Sequence, residues 1–444
     1  MLRYSKALVC GLGASGVAAA RLLRAEHTEV RGVDERDTSE TRARAEELVT
    51  LGCVVDLGVS QAPTDDFDVA VVSPGWAIGE PFLSALRGRG IPLIAEMELG
   101  WSRFCGRTLA VTGSNGKSSV VKALASAFGA AGHSAIPCGN YGRPVCQAVM
   151  DSPAANWLVI EVSSFQLETC RAFRPDVGLL LNILPNHLDR HGTLAAYAQL
   201  KARMFSRQQP DDVALVPPEW LERFRAWSGG QGAWATFGAE SETTHVYSPG
   251  RIAGQGQTID IHGSLFDNAV LGPNAAGLFG AARGAGVAPE HIRQALLQFE
   301  SLPHRARRIG EYDGVVYVDD SKATNLSAMM ASLQMQDRPV WLIAGGRPKE
   351  TDFTAAIPVL RERVRGVFLI GEAAAAMEAA WGQAVSCQVC GTLEHAVGAA
   401  RTAAHPGDCI LLAPACTSYD QFRSYVERGD AFGRWAAAGA SGKY

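Results

Sequence analysis

Short apolar runs alternate with amphipathic stretches along almost the whole chain. The runs fall at 7–10, 29–33, 68–72, 108–112, 157–162, 177–181, 315–318, 340–344, 367–370 and 409–412, and segments of helical period separate them. Apolar runs this short, without polar alternation, predict strands buried on both faces, as in parallel sheets covered by helices. The predicted fold class is α/β. The alternation pauses between about 234 and 267, where β-prone pieces are separated by Gly, Ser and Asn, so a small antiparallel addition is expected there. Domain boundaries are expected near 95–98, after a half-sheet, and near 301–305, after an amphipathic helix beginning at Pro289, giving domains of 1–97, 98–301 and 302–444. No repeat is present, and low complexity is confined to the Ala/Gly-rich stretch after Trp435.

The length of 444 residues fits about three domains of roughly 150 residues each. With 41 Lys and Arg against 45 Asp and Glu, the formal charge is −4. No general positive field exists to hold nucleic acid or an anionic membrane, and small-molecule ligands fit better. No run of 18 apolar residues occurs. Arg3 and Lys6 precede an apolar stretch that imitates a secretion signal, but Gly11, Gly13 and Gly16 interrupt it and Arg21 and Arg24 follow at helical spacing. The expectation is a strand, a turn and a helix in a cytoplasmic protein. Ten cysteines, mostly inside apolar runs, read as reduced core thiols, and Cys387-x-x-Cys390 lacks a second Cys or His pair at zinc spacing.

Three clusters carry candidate chemistry. In the first, an apolar strand runs into Gly113-Ser114-Asn115-Gly116-Lys117-Ser118-Ser119 and then a helical segment. Such a loop aims backbone N–H groups at phosphate oxygens, with a Lys for the terminal phosphates and a hydroxyl for Mg²⁺. It departs from the common phosphate-loop pattern, since Val111 stands where the first Gly would be. Glu161, ending another strand, is placed to bind the metal that accompanies ATP, and His187 and Lys201 follow the strand at 177–181. In the second cluster, Gly11-x-Gly13-x-x-Gly16 follows a strand and Asp34 ends the next, a geometry suited to a nucleotide diphosphate. The third lies in the last domain, where charged and hydroxylated residues gather after strands at 319–325, 345–349 and 413–422 and could hold a small acid.

In combination these motifs resemble the Mur ligase family across essentially the whole chain. The residues that carry the resemblance are Thr112-Gly-Ser-Asn-Gly-Lys-Ser-Ser119, Glu161-Val-Ser-Ser-Phe-Gln-Leu-Glu168, His187-Leu-Asp-Arg190, Leu302-Pro-His-Arg305, Asp320-Ser-Lys-Ala-Thr-Asn325 and Ala415-Cys-Thr-Ser-Tyr-Asp-Gln-Phe422. The last three are most like the family member that adds glutamate to a UDP-linked muramoyl-alanine. The resemblance implies an N-terminal Rossmann-like domain for the UDP substrate, a central P-loop ATPase-like domain and a C-terminal Rossmann-like domain for the amino acid. It further implies a monomeric, cytoplasmic ligase of peptidoglycan synthesis that uses ATP and two Mg²⁺ ions and passes through an acyl phosphate.

Site roles follow from the same resemblance. ATP would be held by Gly113, Ser114, Asn115, Gly116, Lys117, Ser118, Ser119, Asn274, Arg305 and Asp320. Lys117, Glu161, His187 and Lys201 would be catalytic, with Ser118, Glu161, His187 and a carbamylated Lys201 organising the metals. Gly13, Ala14, Ser15, Asp34, Glu35, Arg36, Ser73, Gly75 and Asn140 would line the UDP-substrate site, and Lys322, Thr324, Lys349, Ser418, Tyr419 and Tyr425 the glutamate site. The C-terminal domain is expected to close on the central one. Two departures stand out: the family's Gly-x-His-Asn-x-x-Asn reads Gly272-Pro-Asn274-Ala-Ala-Gly277, and Tyr419 and Tyr425 replace the more usual Leu or Phe. The alternatives are a related ligase using L-glutamate or another amino acid or acceptor, a nicotinamide-dependent dehydrogenase resting on the first glycine turn alone, and a non-catalytic nucleotide-binding regulator. The Asp-Asn-Pro-Arg-like motif of the diamino-acid enzymes is missing.

Overall fold

The computed structural model describes residues 3–76 and 81–438, so the end of the Ala/Gly-rich stretch after Trp435 lies outside the described residues. The chain forms two compact units. One comprises Met1–Ile183, Thr193–Ser264 and Gly272–Gln298; the other comprises Leu184–Gly192, Leu265–Leu271 and Phe299–Tyr444.

The first unit holds two sheets. The N-terminal one is wholly parallel, with strands in the order Val54–Leu57, Glu29–Asp34, Lys6–Cys10, Val69–Val72 and Leu93–Ala95. Its central strand is apolar on both faces because both faces are covered: Ala7 and Val9 pack with Val17 and Leu23, while Leu8 and Cys10 pack with Phe67 and Phe82. The order of strand connection reverses between Lys6–Cys10 and Val69–Val72, which run parallel, and this leaves a crevice at their carboxyl ends of the kind that holds ligands in doubly wound sheets.

The second sheet has nine strands, in the order Gln257–Asp260, Arg251–Gly254, His245–Ser248, Ala233–Gly238, Val213–Val216, Val177–Leu180, Arg107–Thr112, Trp157–Glu161 and Ala135–Gly139. The antiparallel addition expected from Trp234 onward starts later. Ala233–Gly238 still pairs in parallel with Val213–Val216, and only the last two pairings, from His245–Ser248 outward, are antiparallel. The helix Gly272–Gly284 lies close against this sheet because glycines face its large side chains. A Cβ on Gly272 would fall 2.3 Å from the Tyr247 ring, and one on Gly277 would fall 2.9 Å from the Phe237 ring. Gly277, where the resemblance leads one to expect Asn, is therefore the residue that Phe237 leaves room for.

The second unit contains a six-stranded sheet in the order Arg307–Tyr312, Val315–Asp319, Cys409–Ala415, Val340–Gly345, Val364–Ile370 and Cys387–Gly391. All pairings are parallel except that of Arg307–Tyr312 with Val315–Asp319. Cys387 and Cys390 lie on its edge strand as free, half-buried thiols. Polar caps fix the helix starts that matter for the sites: Thr193 for Leu194–Ala202, Asn325 for Leu326–Gln334, and a reciprocal Ser163–Gln166 box after Glu161. Among the described residues, no helix is long and apolar enough to cross a membrane.

Candidate active site

The strand Arg107–Thr112 runs between Val177–Leu180 and Trp157–Glu161 and delivers the glycine loop at its carboxyl end. Gly113 and Gly116 have φ of 146° and 86°, values that a side chain would strain, and Gly116 caps the helix Lys117–Ala130. Asn182 clamps the loop. Its Oδ1 accepts from Asn115 N at 2.9 Å, its Nδ2 donates to Asn115 O at 3.1 Å, and its carbonyl accepts from Ser114 N at 3.0 Å. Lys117 arches back over the loop, with Nζ 2.9 Å from both Gly113 O and Ser114 O. Asn274 is buried beside Gly116, where a Cβ would meet its Nδ2 at 2.8 Å. Ser119 is half-buried on the first turn.

Two buried groups of opposite charge flank this loop. Glu161 takes a hydrogen bond from Ser118 Oγ at 2.5 Å and another from Asn140 Nδ2 at 2.7 Å. Asn140, expected on the UDP side, thus touches the carboxylate next to the phosphate loop. Gly139 and Glu161 are register partners on adjacent strands, which brings Asn140 there. Lys201 is only 1% exposed. Its ammonium donates to Thr112 Oγ1 at 3.2 Å and Gly113 O at 3.1 Å, and lies 4.5 Å from the centre of the Tyr197 ring. Burial holds its pKa well below the usual lysine value; the charge of Lys117 adds to the effect and Glu161 opposes it.

Among the described residues, no three His, Cys, Asp or Glu side chains gather as a metal cluster. The donors at the loop are one carboxylate and one hydroxyl, hard oxygen ligands of the kind Mg²⁺ takes when phosphates and water complete its shell. His187 belongs to the other unit, where it precedes the short helix Leu188–His191 with φ 54° and its carbonyl accepts from Arg190 N and His191 N.

In the N-terminal sheet, Gly13 caps the helix Ala14–Ala25. The next turn of that helix crosses so close that a Cβ on Gly16 would fall 1.9 Å from Gly11 O. Ser73 Oγ donates to Gly11 O at 2.9 Å, which ties the two sides of the crevice together. Asp34 is buried beneath the turn, where Oδ2 accepts from Leu12 N at 2.8 Å and Oδ1 from Arg36 N at 2.9 Å. It shapes the loop, while Ala14, Glu35, Arg36 and Gly75 are exposed and Ser15 is half-buried.

In the second unit, Ser321 is fully buried and Arg428 nearly so. Arg428 donates to Ser321 Oγ at 3.0 Å, Ser321 O at 2.8 Å and Cys416 O at 3.1 Å, yet its Nη1 has no partner among the described residues. Burial lowers its pKa to about 10. The chain leaves the strand Cys409–Ala415 with Ala415 at φ 59°, followed by the buried Ser418 and the exposed Tyr419. Lys349 is exposed; Thr324 and Arg305 are half-buried. Protein packed around the Asp320 carboxyl raises its pKa to about 6. The structure therefore brings Lys322 and Tyr425 together, with Ser321 between Tyr425 and Arg428. Arg428 went unread in the sequence, whereas Asn182 and the His304–Asp319 pair, whose Nδ1 and Oδ2 lie 2.6 Å apart, fall within sequence motifs that assign them no role of their own. An arginine on an amphipathic helix ordinarily signals a solvated face, so only the fold exposes Arg428 as buried.

Comparison with known proteins gives consecutive matches along the chain: "Mur ligase MurD-like, N-terminal domain" at 5–95, "Mur ligase middle domain" at 111–271 and "Mur ligase, glutamate ligase domain" at 304–416. A UDP-N-acetylmuramoylalanine--D-glutamate ligase of Nitratidesulfovibrio vulgaris is 41% identical over 431 residues, covering 96% of this chain and 94% of its own. The protein of that name from Acidobacterium capsulatum is 36% identical over 451 residues, covering 97% and 96%. Among solved structures, a MurF ligase from Thermotoga maritima in complex with ADP superposes with a TM-score of 0.64 at 17% identity, covering 93% of this chain and 96% of that one.

Proposed function

The chain belongs to the Mur ligase family, and from that premise we propose that it joins D-glutamate to UDP-N-acetylmuramoyl-L-alanine at the expense of ATP, releasing ADP and phosphate. It works as a monomer in the cytoplasm, where the peptidoglycan precursor is built. The observation that carries this reading is the convergence of Lys117, the Ser118–Glu161 pair and Lys201 on one glycine loop.

A carboxylate is a poor electrophile until one of its oxygens becomes a leaving group. The acceptor carboxylate therefore attacks the γ-phosphorus of ATP, giving an acyl phosphate and ADP. The uncharged amine of glutamate attacks the acyl carbon, phosphate leaves, and the amine gives up a proton as the amide forms. Most of the barrier to such transfers is lowered by positioning and charge neutralisation. The amides of 113–119 cradle the phosphates, and Lys117 exchanges its loop carbonyls for the γ-phosphate. Ser118 and Glu161 would hold Mg²⁺. Bound Mg²⁺ supplies neutralisation of phosphate charge. Lys201, whose pKa is lowered by burial, would add CO₂ with loss of one proton and become an anionic oxygen donor. Asn274, buried beside Gly116, would contact the nucleotide. Lys322, Thr324, Lys349, Ser418 and Tyr419 receive glutamate, and the crevice around Gly13, Ser15, Arg36, Ser73 and Gly75 receives the UDP portion.

The acyl phosphate is tested with acceptor labelled by ¹⁸O in its carboxylate. One labelled oxygen should appear in the released phosphate for each amide made. Unlabelled phosphate accompanying labelled product would contradict the reading.

A further inference from the structure

Tyr425 opens the helix Tyr425–Ala438, and the ammonium of Lys322 lies over its ring, with Nζ 4.1 Å from the centroid. Both partners are fixed from behind. Lys322 N donates to His304 O at 3.0 Å, and Ser321 Oγ donates to Tyr425 O at 2.8 Å. The imidazole of His304 meets the Tyr425 ring edge-on, with centroids 6.2 Å apart at 78°, and its Nδ1 is anchored 2.6 Å from the buried Asp319 carboxylate. The ring is thus a braced platform, held through its backbone and one edge. A lysine loses rotamer entropy whenever its ammonium must wait in one place. Attraction of the cation to an aromatic face offsets that loss.

We propose that Tyr425 is a positioning residue whose ring face holds the Lys322 ammonium ready for a carboxylate of the incoming amino acid. This rests on the glutamate-adding reading above. Tyr425 acts through Lys322, and its hydroxyl is dispensable: the π face does the holding. Phenylalanine should therefore replace it and leucine should not.

The chain has seven lysines, few enough for each ε-CH₂ signal to be resolved in protein labelled with ¹³C-lysine. In the full-length protein, ring current should move the Lys322 ε protons upfield, with the signal assigned by its loss in Lys322→Arg. The upfield position should persist in Tyr425→Phe and vanish in Tyr425→Leu. With acceptor, ATP and Mg²⁺, Tyr425→Leu should raise the KM for D-glutamate about tenfold while kcat and the KM for ATP stay within about twofold, and Tyr425→Phe should match wild type. Tyr425→Leu should add nothing further to Lys322→Met, because the two substitutions break one interaction. An unshifted Lys322 signal in the wild type, or an unchanged glutamate KM in Tyr425→Leu, overturns the proposal. A shifted signal in a protein that turns over no glutamate would overturn the assigned reaction and leave the pairing intact.

Discussion

Several ionisable side chains are buried in this protein, and they are accommodated in different ways. Lys201 and Arg428 face backbone carbonyls and hydroxyls, so their charge is solvated by fixed dipoles instead of an opposing ion. Glu96 opens the short helix after the N-terminal sheet and tethers the start of the helix Val145–Asp151. One of its oxygens accepts from Cys146 N at 2.6 Å and the other, buried, has no partner among the described residues. Burial pushes its pKa up to about 7 from the ordinary 4.5. Between those two values the unfolded chain has lost a proton that the folded chain keeps, so stability falls as pH rises through the window and levels off above it. The loss is on the order of 3 kcal/mol. Glu96→Gln should remove that slope, giving a larger gain over wild type in the urea midpoint at pH 8 than at pH 5. An equal difference at both pH values would show that Glu96 ionises freely in the folded protein.

At the scale of elements, packing decides what local preference leaves open. The helix Gly272–Gly284 sits against the sheet only because Gly277 admits the Phe237 ring. Gly277→Asn should destabilise by roughly 1–3 kcal/mol through overpacking. Combining it with Phe237→Leu should cost less than the sum of the two single changes, as read in a thermal-unfolding cycle. Strict additivity would mean that the ring and residue 277 do not meet. The strands with continuous apolar runs, such as Trp157–Glu161 and Cys409–Ala415, were legible in the sequence because burial on both faces leaves an unmistakable pattern. Arg307–Tyr312 was not, since it is an antiparallel edge strand with little apolar surface. The onset of the antiparallel addition was misplaced for a related reason: Ala233–Gly238 is only half-buried yet pairs in parallel. The candidate site divides in the same way. The glycine loop and Lys117 show in local spacing, whereas the Asn140–Glu161 contact depends on strand register and the Arg428–Ser321 contact on a helix returning more than one hundred residues later.

For the whole molecule, the residues proposed for the reaction are divided between the two units. The first carries the glycine loop, Glu161 and Lys201; the second carries Lys322, Ser418 and Tyr425. Each has its own apolar core, and the slight negative charge of the chain leaves recognition to these local sites. The proposed ligation requires a nucleotide, a muramoyl acceptor and one amino acid together. The most direct measurement is phosphate release from ATP and Mg²⁺ with UDP-N-acetylmuramoyl-L-alanine, comparing D-glutamate, L-glutamate, a diamino acid and no amino acid. Sustained release is expected with D-glutamate alone. Sustained release with L-glutamate or the diamino acid and not with D-glutamate, or with none of them, would contradict it.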